Sequence, residues 1–210
     1  EVLYPGWQVH VSVDDPTHKA YENYFNDLAS NKKIKLQIRE TAPLCEMMLW
    51  RLIPCFEVKY DAPKYERVIC RDADSLLTYR ERQAVAYWEQ GTKMSHAITD
   101  SISHTIALMG GMIGFMSGPF MDRMGARNFG DLLSLSSGID FNRKGSDQEF
   151  LNRFVLPKVA DSITEHYCLG MPQSFRGDCH HSIQDMPLNL PEIGEIPYSD
   201  EVLKETNALG

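Results

Sequence analysis

The sequence has no block of clustered lysine or arginine, and its 21 basic residues are outnumbered by 29 acidic ones for a formal net charge of −8. A nucleic-acid groove needs clustered cations to replace condensed counterions. No nucleic-acid partner is therefore expected, and an anionic substrate would need a metal or a few placed arginines. Long apolar runs are also missing. The most apolar stretch, IALMGGMIGFMSGPF at 106–120, is short and broken by glycines and a proline, so it reads as core strand plus turns rather than as a bilayer span. No secretory signal is recognisable. A disulfide framework is lacking too. The five cysteines, Cys45, Cys55, Cys70, Cys168 and Cys179, are odd in number and irregularly spaced, which reads as reduced thiols and a cytoplasmic location. Cys168, Cys179, His180 and His181 match no standard zinc spacing. Internal repeats and low-complexity tracts are absent.

What is present suits one globular domain spanning 1–210, with 43% hydrophobic and 24% charged residues. The chain opens on Glu1 and reads as part of a longer polypeptide. Trp7, Val9, Val11 and Val13 alternate as a strand does. Asp15 can cap a helix that starts at Pro16 and carries Tyr21, Tyr24, Phe25 and Leu28 at helical spacing. KIKLQIRE (33–40) alternates again, LCEMMLWRLI (44–53) reads as a helix ended by Pro54, and RVICR (67–71) as a strand buried on both faces. Thr78 with Glu81, and Ser146 with Glu149, form capping boxes that open two further helices. MSHAI and GGMIGFM read as strands, 122–145 as loops with a short helix, and 171–210 as a loop-rich wrap. Trp7, Trp50 and Trp88 read as core. Strand and helix alternating in this way predict an α/β domain with a mixed, mostly parallel sheet flanked by helices. Ligands of such sheets bind beyond the carboxyl ends of the strands.

Asp72 and Asp74 fall at one of those ends. Residues i and i+2 of an extended chain project to one side, so two carboxylates can converge there. They repel unless a cation or a shared proton lies between them. Mn²⁺ or Mg²⁺, hard ions with oxygen ligands and room for substrate phosphates, fit best. The plain alternative is one aspartate capping a turn and the other facing solvent. Arg51 lies in an otherwise apolar segment, where it either grips an anion or pairs with Glu46 or Asp72. Arg71 has the same two options. Gly110 and Gly111 either admit a ligand close to the backbone or make a bulge. Asp147 and Gln148 open a helix, where capping alone would account for the aspartate. Asp100 and His104, between the aspartates and the glycines, are candidate contacts for sugar hydroxyls.

The order YPGW (4–7), WRLIP (50–54), RDADS (71–75), GGMIG (110–114), DQEFL (147–151) resembles the nucleotide-sugar glycosyltransferases of the GT-A fold. The likeness is strongest to a group found in bacterial polysaccharide clusters and large algal viruses, including the glycosyltransferase domains that open multidomain chlorella-virus proteins. It spans roughly residues 4–168. It implies a GT-A-like, Rossmann-type sheet and a metal-dependent transferase. The donor would be a UDP-sugar, UDP-glucose or a deoxyhexose such as UDP-rhamnose, and the acceptor a glycan or glycoprotein. Retention of configuration is favoured, in the cytoplasm of a host cell if the enzyme is viral. It implies Asp72 and Asp74 as metal ligands with Asp74 the firmer, His166 as a third, and Arg51 and Arg71 on the nucleotide or diphosphate. Gly110 and Gly111 would lie beside the sugar, and Asp147 and Gln148 near the reacting carbon. Relatives carry a strand and helix ahead of YPGW, and an Arg-Asp-His run where this chain has SHAITDSISH. Two rival readings stand beside the transferase: a metal-dependent phosphatase or nucleotidyltransferase, and a non-catalytic nucleotide- or glycan-binding module of the same fold.

Overall fold

A computed structural model describes residues 3–73, 77, 79–99, 108–167 and 180–182, the last three as backbone. The chain is mixed α/β. Strand β1 (Val9–Asp14) leads into α1 (Asp15–Ala20) and α2 (Glu22–Ser30), and β2 (Ile34–Arg39) returns parallel to β1, pairing Val9 with Ile34 through Asp14 with Arg39. Asp14, not Asp15, occupies the cap position of α1, and Pro16 lies in its first turn. Helix α3 (Leu44–Met48) continues directly into a 3₁₀ stretch, Leu49–Phe56. The helix expected to stop at Pro54 instead tightens and keeps Pro54 inside it. Pro54 brings no N–H of its own, and Glu57 N–H closes the end of the stretch on Pro54 O at 3.3 Å.

A short hairpin, β3 (Val58–Lys59) and β4 (Ala62–Pro63), precedes β5 (Arg67–Arg71). Then come α4 (Tyr79–Gln90), β6 (Ser95–Thr99), β7 (Met112–Met116), α5 (Ser117–Met124), α6 (Phe129–Leu133) and α7 (Ser146–Phe150). The last of these runs on as one rod through a π-helical stretch, Leu151–Val155, into α8 (Leu156–Val159). Strands β8 (Ile163–Tyr167) and β9 (His180–Ser182) complete a five-stranded sheet in the order β5-β7-β6-β8-β9. That sheet is mixed: β7 runs antiparallel to both β5 and β6, while β8 is parallel to β6 and β9 to β8, so β7 alone of its five strands is reversed. The turn at Gly110 and Gly111, with Met112 N–H donating to Met109 O at 2.9 Å, leads into β7, which lies between β5 and β6.

Caps follow local chemistry. Gly125, at φ 65°, ends α5, with Gly125 N–H on Asp122 O and Ala126 N–H on Met121 O. Asn128 and Asp131 form a reciprocal capping box on α6. The capping box expected at Ser146 and Glu149 is not there: Gly145 holds the cap position, the Ser146 hydroxyl is buried without a partner, and Glu149 pairs with Arg143. Thr78 lies outside the described residues.

One face of the five-stranded sheet packs on the 3₁₀ stretch, α5, α7 and α8 through a single apolar cluster that includes Leu52, Cys70, Ile113, Phe115, Phe120 and Phe150. Phe115 and Phe120 stack at 4.2 Å. The other face is covered by α4, which buries Ala84, Val85 and Trp88 on one side. Trp50 and Trp88 are core, as expected, and Trp7 is half-buried against Tyr4. Cys45, Cys55 and Cys70 are free, buried thiols. Among the described residues no helix is long and apolar enough to cross a membrane.

The β1–β2 pair stands as a separate sheet. Its polar face is tied to the end of the 3₁₀ stretch by Glu57, which accepts hydrogen bonds from Lys35, Gln37 and Lys64. Tyr65 Oη donates to Gln8 Oε1 at 2.7 Å, bridging the entry ends of β1 and β5. Among the described residues, β1 and β5 each have one edge without a ladder, and both line the same open cleft of about 890 Å³.

Candidate functional site

The site is assembled by sheet register. Because Arg71 pairs with Met112 across β5 and β7, the Gly110–Gly111 turn that begins β7 lies directly beside Asp72, the residue after β5. The approach is so close that a Cβ on Gly111 would stand 2.1 Å from Asp72 Oδ2. Only glycine leaves room for that carboxylate.

Arg51 reaches the same spot from the 3₁₀ stretch. Its neighbours Leu49, Trp50, Leu52 and Ile53 are buried, so the helix is fixed and the guanidinium is delivered toward the cleft. Nε donates to Met48 O at 2.6 Å, and Nη1 donates to Asp72 Oδ1 at 2.7 Å. Of the two partners the sequence offers, Asp72 is the one used. Nη1 also lies 3.1 Å from where a Gly110 Cβ would be, and Gln148 Nε2 lies 3.2 Å from it on another side. Asp147 is 3% exposed, and Gln148 Nε2 donates to its Oδ2 at 3.2 Å. The Gln148 Oε1 atom is buried without a hydrogen-bond partner. Arg51, Asp72, Gly110, Gly111, Asp147 and Gln148, from four separated segments, thus form one cluster.

Arg71 has a different duty. Nη1 donates to Gly111 O at 3.0 Å and Nη2 pairs with Glu81 Oε2 at 2.9 Å, so the side chain ties β5 to the turn and to α4. Tyr4 Oη donates to Glu81, and burial, with the nearby Glu81 carboxylate, pushes that phenol far above its ordinary value. His166 is not brought to the cluster. It is fully buried in β8, edge-on to Tyr87 and to His96, with β7 and β6 between it and β5. Asp74, Asp100 and His104 lie outside the described residues. Among the described residues no group of three His, Cys, Asp or Glu side chains could hold a metal ion.

Asn152 is a site residue that sequence reasoning missed. Its side chain accepts from Leu108 N–H and donates to Leu108 O, both at 3.0 Å, and donates to Gln148 O at 2.9 Å. It locks the strand carrying the glycines to the helix carrying Gln148. The legible signal was its place four residues after Gln148, on the same helical face.

The cleft opens next to Asp72 and is lined there by Ser12, Met48, Trp50, Arg51 and Ala73. Its volume lies in the range of small-molecule sites, roughly 300–1,000 Å³. Burial pushes the Cys70 thiol up to about 12 and Cys55 well above its ordinary value, so neither supplies a thiolate at neutral pH. No family model matches the chain, and no curated protein or solved structure matches it.

Proposed function

We propose that this chain is a metal-dependent glycosyltransferase with a GT-A-like arrangement, moving a sugar from a UDP-sugar to a glycan or glycoprotein acceptor in the cytoplasm. One observation carries the reading. Residues from WRLIP, RDADS, GGMIG and DQEFL, far apart in sequence, meet side by side at the end of β5. An accidental run of short motifs would scatter over the fold.

The donor chemistry of Asp72 suits a divalent cation: its carboxylate is a hard oxygen donor beside Gly111, and it already takes a positive charge, the Arg51 guanidinium, at 2.7 Å. Asp72 would hold the metal, with Asp74 as its partner by resemblance. The bound ion supplies neutralisation of the charge that develops on the departing UDP. Arg51 is placed to grip the diphosphate, whose paired oxygens suit the guanidinium fork. Gly110 and Gly111 let the sugar lie against backbone. Asp147 and Gln148 form the wall that faces it, where a carboxylate stabilises an oxocarbenium-like centre. By resemblance, the Asp147–Gln148 pair favours the retaining outcome.

A thermal-shift panel of UDP-sugars with and without Mn²⁺ tests this reading, followed by assay of the released product. The expected result is a metal-dependent rise in melting temperature with UDP-glucose or a deoxyhexose donor, and release of UDP rather than inorganic phosphate. Binding without release supports the non-catalytic module, and phosphate release supports the phosphatase. Lack of a shift with every UDP-sugar would end the proposal.

A further inference from the structure

Oδ1 of Asp72 accepts from Arg51 Nη1 at 2.7 Å, and Oδ2 lies beside Gly111, 2.1 Å from where a Cβ would stand. A cation that joins this carboxylate meets the guanidinium charge close by, and an anion that joins Arg51 meets the carboxylate charge, so each alone is opposed by a like charge. The two partners are unequally placed. The Arg51 side chain is 16% exposed and that of Asp72 is 42% exposed. Asp72 would be solvated on leaving the pair, so the cost of parting falls on Arg51: a mostly enclosed guanidinium that loses its carboxylate must find another anion. Its Nε is already bound to Met48 O, so the fork stays aimed at the cleft after Asp72 departs.

We infer that Arg51 is a built-in counter-cation for Asp72, and that a divalent metal and a diphosphate replace the pair together: Asp72 passes from Arg51 to the metal as Arg51 passes from Asp72 to the diphosphate. This rests on the transferase reading and adds to it a coupling mechanism. Each ligand alone meets the like charge of one member of the pair. Both together cancel that repulsion. The site therefore stays closed on itself until a metal–diphosphate complex arrives, which guards it against free metal and free anions. By linkage the gain is the same whichever ligand comes first.

The pairing makes two predictions of opposite kind, read by calorimetry on the full chain with Mn²⁺ and with UDP. Arg51→Gln releases Asp72, so Mn²⁺ alone binds at least about fivefold tighter than to wild type, the lower end of common coupling factors. Asp72→Asn releases Arg51, so UDP in the presence of a chelator binds at least about fivefold tighter. Wild type binds each ligand weakly alone and gains on addition of the other. Melting of each variant shows whether it is folded, and either one suffices if the other is not. Equal or weaker Mn²⁺ binding by folded Arg51→Gln overturns the inference, as does equal or weaker metal-free UDP binding by folded Asp72→Asn. Those outcomes leave the transferase reading standing if wild type still binds UDP with Mn²⁺. Silence of wild type and both variants toward every combination removes both.

Discussion

The two sheets of this protein are stabilised in different ways. The five-stranded sheet carries apolar helices on one face and α4 on the other, with a large buried cluster between residues 49 and 163 and a small one of Ala84 and Ile98 under α4. The β1–β2 unit has almost no core of its own. Val13 is the only buried residue among 3–43, and neither α1 nor α2 buries a side chain. Val9, Ile38, Tyr21 and Tyr24 are about half exposed or more. The unit is held instead by polar ties, through Glu57 on one side and Tyr65 on the other. The candidate site lies where the two meet. Its precise parts, Asp72, Gly111 and Gln148, stand on the rigid sheet and helix, and the looser unit forms the far wall of the cleft. A rigid half that positions charge and a softer half that closes over a ligand is an arrangement suited to binding with adjustment.

The contrast can be broken most easily from the rigid side. Phe115→Ala deletes a fully buried ring stacked on Phe120, and denaturant unfolding should show a loss of about 3–5 kcal/mol. Val13→Ala, the matching change in the looser unit, should cost only about 1–2 kcal/mol. Equal costs would mean that the two units share one core after all.

Gly114→Ala comes next. Its Cβ would fall 2.6 Å from His96 Cδ2 on the neighbouring strand, and both backbones are fixed by the ladder. A loss of about 1–3 kcal/mol is expected, and His96→Ala in the same chain should restore most of it.

Acid should act on the rigid half through the same histidine. His96 is buried against Trp88, and burial, with His166 and Arg71 nearby, holds its imidazole well below 6.5. The unfolded chain therefore takes up the proton first. Stability is full above pH 6.5 and falls as pH drops below it, by up to about 1.4 kcal/mol per pH unit for this one group. His96→Phe should flatten that part of the profile below pH 6.5 by up to about that much per unit. An unchanged slope would place the acid sensitivity elsewhere.

Gly111→Ala should separate function from stability. The added methyl displaces the Asp72 side chain, whose partner Arg51 is the more enclosed of the pair, so a folding cost of about 1 kcal/mol is expected. Metal-dependent UDP binding should nonetheless be lost. The smallest effect is expected on the looser unit: Tyr24→Ser, at a site 65% exposed, should change stability by no more than about 0.5 kcal/mol.

Local pattern made most strands legible. Alternation gave β1 and β2, and the short apolar runs gave β5, β6 and β7. The direction of β7 was not legible, because periodicity carries no information about which neighbour a strand joins. Nor was the 3₁₀ stretch, since its apolar residues at 49, 50, 52 and 53 suit either helix type. In the site, Arg51, Asp72 and the glycine pair could be named because charge or glycine in an apolar run is conspicuous. Their contact could not, because it depends on the register of β5 against β7. Asn152 escaped notice because its one signal, its place four residues after Gln148, says nothing of its partner, the backbone of Leu108, until the fold is in place. His166 shows the reverse case: a histidine at a plausible position in sequence can be carried by strand order to the far side of the sheet.

A crystal of the full chain soaked in Mn²⁺ and UDP addresses the central claim most directly. The account predicts a manganese ion on a carboxylate oxygen of Asp72, with the Arg51 guanidinium moved from Asp72 onto the diphosphate and the nucleoside in the cleft beside Trp50. UDP and metal bound elsewhere, with Arg51 still closed on Asp72, would contradict it.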